Sequence, residues 1–118
     1  MSDKFVDRFL GQENTEEALS WLKAGLDTDS HLLSEGWPTQ ESIDFIQRFY
    51  DAGAVEVLAV DIDQYEDGME NTGKLVIKLP EDPAKREAVL GLGGEIAMRN
   101  GFSQEPDQGQ TYLFLMLD

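Results

Sequence analysis

Residues 54–79 read AVEVLAVDIDQYEDGMENTGKLVIKL, and the fold turns on how this stretch is parsed. The first part, AVEVLAVDI, is rich in valine and carries one charge before Asp61, which describes a strand covered on both faces. The last part, KLVIKL, alternates: Leu75, Ile77 and Leu79 point one way, and Lys74, Val76 and Lys78 the other, as in a half-exposed strand. Between them lies DIDQYEDGME, with five carboxylates at Asp61, Asp63, Glu66, Asp67 and Glu70. Asp67-Gly68 and Asn71-Thr72-Gly73 are turn formers, so the acidic stretch reads as a loop joining two strands.

Helices flank this pair. From Pro38 to Gly53, Ile43, Ile46, Phe49 and Tyr50 recur with helical period. Thr39 is the expected cap, and Gly53 is a left-handed stop. Asp82-Pro83 opens a second helix, because Asp accepts free N–H groups and Pro suits the first helical position. It should run to about Asn100, ahead of Gly101, with Val89, Leu92 and Ile96 buried. QTYLFLMLD at 110–118, apolar at every position from Tyr112 to Leu117, predicts a closing strand.

Upstream, residues 1–26 predict a helical pair. Phe5, Val6, Phe9 and Leu10 share helical spacing up to Gly11. Asn14 with Glu17 resembles a capping box ahead of Ala18, Leu19, Leu22 and Leu26. A short strand at 31–34 would complete the order βαββαβ. The expectation is therefore one α+β domain over 1–118: a ferredoxin-like split βαβ sandwich, an antiparallel sheet with two helices on one face, preceded by the N-terminal helical extension.

That architecture leaves a problem. Leu113, Leu115 and Leu117 face one side of the last strand, while Tyr112, Phe114 and Met116 face the other. Leaving either set in water would forgo about 1.5–3 kcal/mol per side chain. The predicted cover is the N-terminal pair, through Phe5, Phe9, Leu19, Trp21 and Leu22. The alternative is a homodimer formed through the apolar sheet face.

Composition narrows function. The chain has 24 Asp plus Glu against 9 Lys plus Arg, a formal net charge of −15. Phosphate affinity comes mainly from Lys and Arg, so direct nucleic-acid binding and anionic membranes are excluded as partners. There are no cysteines, hence no disulfide, thiolate metal site or cysteine nucleophile. The N-terminus has no apolar signal core and no stretch is long enough to span a bilayer, so cytoplasm is the expected location. No cofactor motif is present. GLGGE at 91–95 is neither a Walker loop nor a GxGxxG following a strand, and its glycines point to close helix packing or a kink. His31, the single histidine, reads as a turn or surface residue. Trp37, just before Pro38, reads as core beside a helix start, with a pocket or interface anchor as the other reading.

The acidic loop is the candidate site. As a divalent-metal site its ligands would be Asp61, Asp63 and Asp67. The calcium-loop pattern fails, however: counted from Asp61, position five is Tyr65, six is Glu66 and twelve is Thr72. Asp61 and Asp63 could form a carboxylate pair on one strand face, suited to acid–base work. As a partner-binding surface, the set is Asp61, Asp63, Tyr65, Glu66, Asp67 and Glu70, with Tyr65 as an aromatic anchor among charges for a basic protein. The leading expectation is a non-enzymatic protein-binding or regulatory module of inhibitor or immunity type. The alternatives are a small divalent-metal-assisted or acid–base enzyme and a self-assembling structural subunit.

Overall fold

The computed structural model describes residues 3–34, 37–101 and 106–117. Ser2 and Asp118, at the ends of the expected first helix and last strand, lie outside the described residues. The elements are α1 (Asp3–Val6), β1 (Glu16–Glu17), α2 (Ala18–Ala24), β2 (His31–Leu33), α3 (Thr39–Ala52), β3 (Glu56–Val60), β4 (Asp63–Gln64), β5 (Glu70–Thr72), β6 (Lys74–Lys78), α4 (Pro83–Arg99) and β7 (Tyr112–Met116).

The two apolar runs around the acidic stretch pair as neighbours. β3 and β6 are antiparallel, with Val57 opposite Ile77 and Ala59 opposite Leu75. β6 then pairs antiparallel with β7, placing Ile77 opposite Leu113 and Leu75 opposite Leu115. With β1 on the far side of β3, the main sheet runs β1-β3-β6-β7. Its inner face, Val57, Ala59, Leu75, Ile77, Leu113 and Leu115, packs beneath α2, α3 and α4. Trp21, Leu22, Ile46, Phe49 and Val89 supply the helical half of this core, each almost fully buried.

The chain is thus a mixed α+β fold with an antiparallel sheet, but the ferredoxin-like topology is not confirmed. That topology needs the 31–33 strand inside the main sheet. Instead β2 pairs in parallel with β5, in a separate sheet ordered β2-β5-β4. The reason is competition for an edge. β7 offers β6 five apolar residues in continuous register, whereas β2 has only two, Leu32 and Leu33, and is followed by Ser34, whose φ of 62° turns the chain away. A third helix, α2, also joins the two expected on the inner face.

The outer face is filled by Val60, Val76, Phe114 and Val6. Phe5 meets Phe114 edge-on at 5.1 Å, and Phe9 stacks on it at 5.5 Å. The carboxylate of Asp3 accepts the N–H groups of Thr111 and Tyr112, tying α1 to the start of β7. Leu19, Trp21 and Leu22 depart from the expectation, because α2 lies on the inner face. The cause is local. Residues 16–17 are extended and pair with Leu58 and Ala59, so α2 begins only at Ala18. Glu17, not Asn14, is its cap, accepting from Leu19 N–H at 3.0 Å and Ser20 N–H at 2.8 Å.

Of the two other expected caps, one differs. Thr39 is the first residue inside α3, and its N–H is satisfied by Asp29 Oδ1 at 2.7 Å. Asp82 caps α4 as its sequence predicts, accepting from Lys85 N–H at 3.0 Å. α4 runs unbroken through Gly93, where a Cβ would meet Leu113 Cδ2 at 2.5 Å, so the glycine there serves close helix–sheet packing.

Candidate functional site

The acidic stretch is a small, hydrogen-bonded hairpin. Gln64 lies opposite Glu70, and Asp63 opposite Asn71. At its tip Tyr65 N–H donates to Met69 O at 2.9 Å, and Gly68 N–H donates to Tyr65 O at 3.1 Å. Gly68 takes a φ of 86°, which a side chain would resist, and the Asp67 carboxylate accepts Met69 N–H at 3.0 Å. The tip is therefore shaped by its own backbone and presents Tyr65, 54% exposed, between the exposed Asp63 and the exposed Glu66 and Asp67.

The structure does not bring all six sequence-predicted residues to one surface. Asp61 leaves the strand with a left-handed φ of 54°, and its carboxylate pairs with Lys74 Nζ. That turn breaks the alternation that would have set Asp61 beside Asp63. Glu70 turns inward. Its Oε1 accepts Trp21 Nε1–H at 3.0 Å, and its Oε2 lies 3.3 Å from His31 Nε2. His31 in turn stacks on the Trp21 ring, with centroids 5.2 Å apart, and its Nδ1 contacts the Trp21 carbonyl. A carbonyl only accepts, so Nδ1 is the donor in that contact, and the Nε2 edge of the ring faces the carboxylate. His31 is thus a half-buried bridging residue between α2 and the hairpin base rather than a surface residue.

Among the described residues, no three His, Asp or Glu side chains converge in a way that could hold a metal ion. Asp61, Asp63 and Asp67 each have different surroundings: a lysine, a cleft wall and a turn amide.

The structure adds residues that sequence reasoning missed. Asn14 O accepts Ile62 N–H at 3.1 Å, which brings the loop before β1 against the hairpin base. A cleft of about 330 Å³ opens there, lined by the acidic residues Glu13, Glu16, Asp63 and Glu70 with Asn14, Ile62 and Gln64. Glu13 and Glu16 are distant in sequence from the hairpin. Their own neighbourhood, QENTEE, had only the signal of further acidity.

Behind the cleft, Glu17 anchors the β1–α2 junction. Tyr50 Oη donates to Glu17 Oε2 at 2.7 Å and accepts from Val57 N–H at 2.9 Å. Partial burial pulls the Glu17 carboxyl upward. The hydrogen bonds from Tyr50, Ser20 and Leu19 outweigh that and hold it below its ordinary value. Burial, reinforced by the Glu17 contact, pushes the Tyr50 phenol up to about 12.

Comparison with known proteins gives no match to any family model, any curated protein or any solved structure.

Proposed function

We propose that the chain is a non-enzymatic, acidic protein-binding module of inhibitor or regulatory type, working in the cytoplasm, with a basic protein as its partner. The observation that carries this reading is Tyr65. It is a large aromatic, 54% exposed, on a tip whose backbone bonds are internally closed, flanked by Asp63, Glu66 and Asp67. An aromatic anchor within a charged rim is the composition of an interface hot spot. The neighbouring cleft, walled by Glu13, Glu16 and Asp63, suits a lysine or arginine side chain reaching past the tip. With a net charge of −15, encounter with a basic surface is steered at long range.

The contact set is accordingly Glu13, Glu16, Asp63, Tyr65, Glu66 and Asp67. Asp61 and Glu70 drop from it because Lys74 and Trp21 already engage them. A second copy is not needed to cover the outer sheet face, which Phe5, Phe9 and Phe114 fill.

The test is affinity capture of basic proteins on immobilised wild-type chain at low and high salt, repeated with Tyr65→Ala and with Asp63→Asn/Glu66→Gln/Asp67→Asn. Capture should fall steeply between about 0.05 and 0.5 M NaCl, because the screening length shrinks from roughly 14 to 4 Å. Tyr65→Ala should weaken it by about thirtyfold, the size of a hot-spot truncation. Binding that survives both the salt and the substitutions rules the reading out.

A further inference from the structure

A second concavity, away from the hairpin, lies between α3 and the end of α4. It encloses about 470 Å³, within the roughly 300–1,000 Å³ range of small-molecule sites. Trp37, Phe45 and Ile96 form its apolar lining. Phe45 and Ile96 are buried, and Trp37 is half-buried, set edge-on to Phe45 at 5.3 Å. Arg48 and Arg99, both exposed, stand at the rim with Glu41 and Asp44.

The rim charges are not equivalent. Asp44 accepts Gln40 Nε2–H at 3.0 Å, and Glu41 sits in the first turn of α3, where the helix dipole favours a negative charge. Neither arginine makes a side-chain hydrogen bond or ion pair among the described residues. Two uncommitted guanidiniums over an aromatic pocket are uncommon in a chain holding only 9 Lys plus Arg. Planar forks of this kind match a carboxylate.

We propose that this pocket binds a small amphiphilic monoanion: an aromatic or aliphatic body seated against Trp37, Phe45 and Ile96, with one carboxylate held by Arg48 and Arg99. The charge complementarity sets the class. A polyanion is repelled by Glu41, Asp44 and the net charge of −15, whereas a monoanion meets a balanced rim and draws most of its affinity from apolar burial. This site is independent of the hairpin and of the partner reading above.

The probe is 2-naphthoate, with 2-naphthamide as its uncharged isostere, titrated by calorimetry and by two-dimensional NMR of the tryptophan side chains. Saturable one-site binding is expected, moving the Trp37 indole N–H while that of Trp21, buried against His31, stays in place. 2-Naphthamide should bind at least about tenfold more weakly, as should 2-naphthoate to Arg48→Gln/Arg99→Gln, while Arg48→Lys/Arg99→Lys should retain part of the affinity. Both arginines are exposed, so these variants should keep the wild-type thermal midpoint. Absence of saturable binding would overturn the proposal. So would equal affinity for the amide or the glutamine variant, shifts centred away from Trp37, or a concentration-dependent dimer whose formation protects Trp37 and excludes 2-naphthoate.

Discussion

Replacing Glu70 with alanine should destabilise the fold, although Glu70 sits in the most acidic stretch of a highly acidic chain. On charge alone, removing one of 24 acids from a chain of net charge −15 should help. The structure argues the reverse. Trp21 is 1% exposed, and its Nε1–H has Glu70 Oε1 as its partner. Leaving a buried donor unpaired costs about 1–3 kcal/mol. Glu70 lines the acidic cleft, so water can reach part of the vacated space, which argues for the middle of the range, about 2 kcal/mol. At a urea m-value of ~1.5 kcal/mol/M, the unfolding midpoint should fall by about 1.3 M. Glu70→Gln separates geometry from charge. Its amide oxygen still accepts from Trp21 and its NH₂ can donate to His31 Nε2, so it should lose less than half as much. Urea unfolding followed by tryptophan fluorescence measures both. If Glu70→Ala is as stable as wild type, or Glu70→Gln is equally damaged, the inward role assigned to this carboxylate is wrong.

Other expectations follow from the same geometry. The Tyr50 phenol is raised from 10.0 to about 12, so its stabilising contribution is complete below pH 10.0 and lost as pH rises through about 12; Tyr50→Phe should flatten that alkaline fall in a urea-midpoint series. The Glu17 carboxyl is lowered, so its contribution is complete above its ordinary 4.5 and lost as pH falls through the depressed value; Glu17→Gln should flatten the acid limb. In α4, Gly91 has open space where a Cβ would go, and Gly91→Ala should raise stability by about 0.5–1 kcal/mol in thermal unfolding. Gly93→Ala gains the same helix propensity but drives a methyl into Leu113, which is buried and confined. It should cost about 1–2 kcal/mol net, and a stabilised Gly93→Ala would show that the helix–sheet spacing is slack.

Much of the secondary structure was legible because its causes are local. The alternation of KLVIKL puts Leu75 and Ile77 on one face and Val76 on the other, as the structure has them, but the half-exposed face it implied is covered, with Val76 fully buried beside Val6 and Phe114. Gly53, at a φ of 118°, ends α3, and Asp82-Pro83 starts α4, since both signals act within one turn of chain. Glu17 was misread as the third residue of a capping box. Whether residues 16–17 extend or coil depends on Leu58 and Ala59, which no local pattern mentions.

The acidic hairpin shows the division most plainly. Its existence, turn residues and charge density were determined by the sequence alone, through turn chemistry and strand alternation. Its working surface was not. Lys74 claims Asp61, Trp21 claims Glu70 across 49 residues, and Glu13 and Glu16 arrive from the other end of the chain to wall the cleft. Strand order followed the same rule, with β2 displaced from the main sheet because β7 offers β6 a longer apolar register. Local conformational preference is written residue by residue, whereas pairing and burial are settled by competition among distant segments, and only the folded chain resolves that competition.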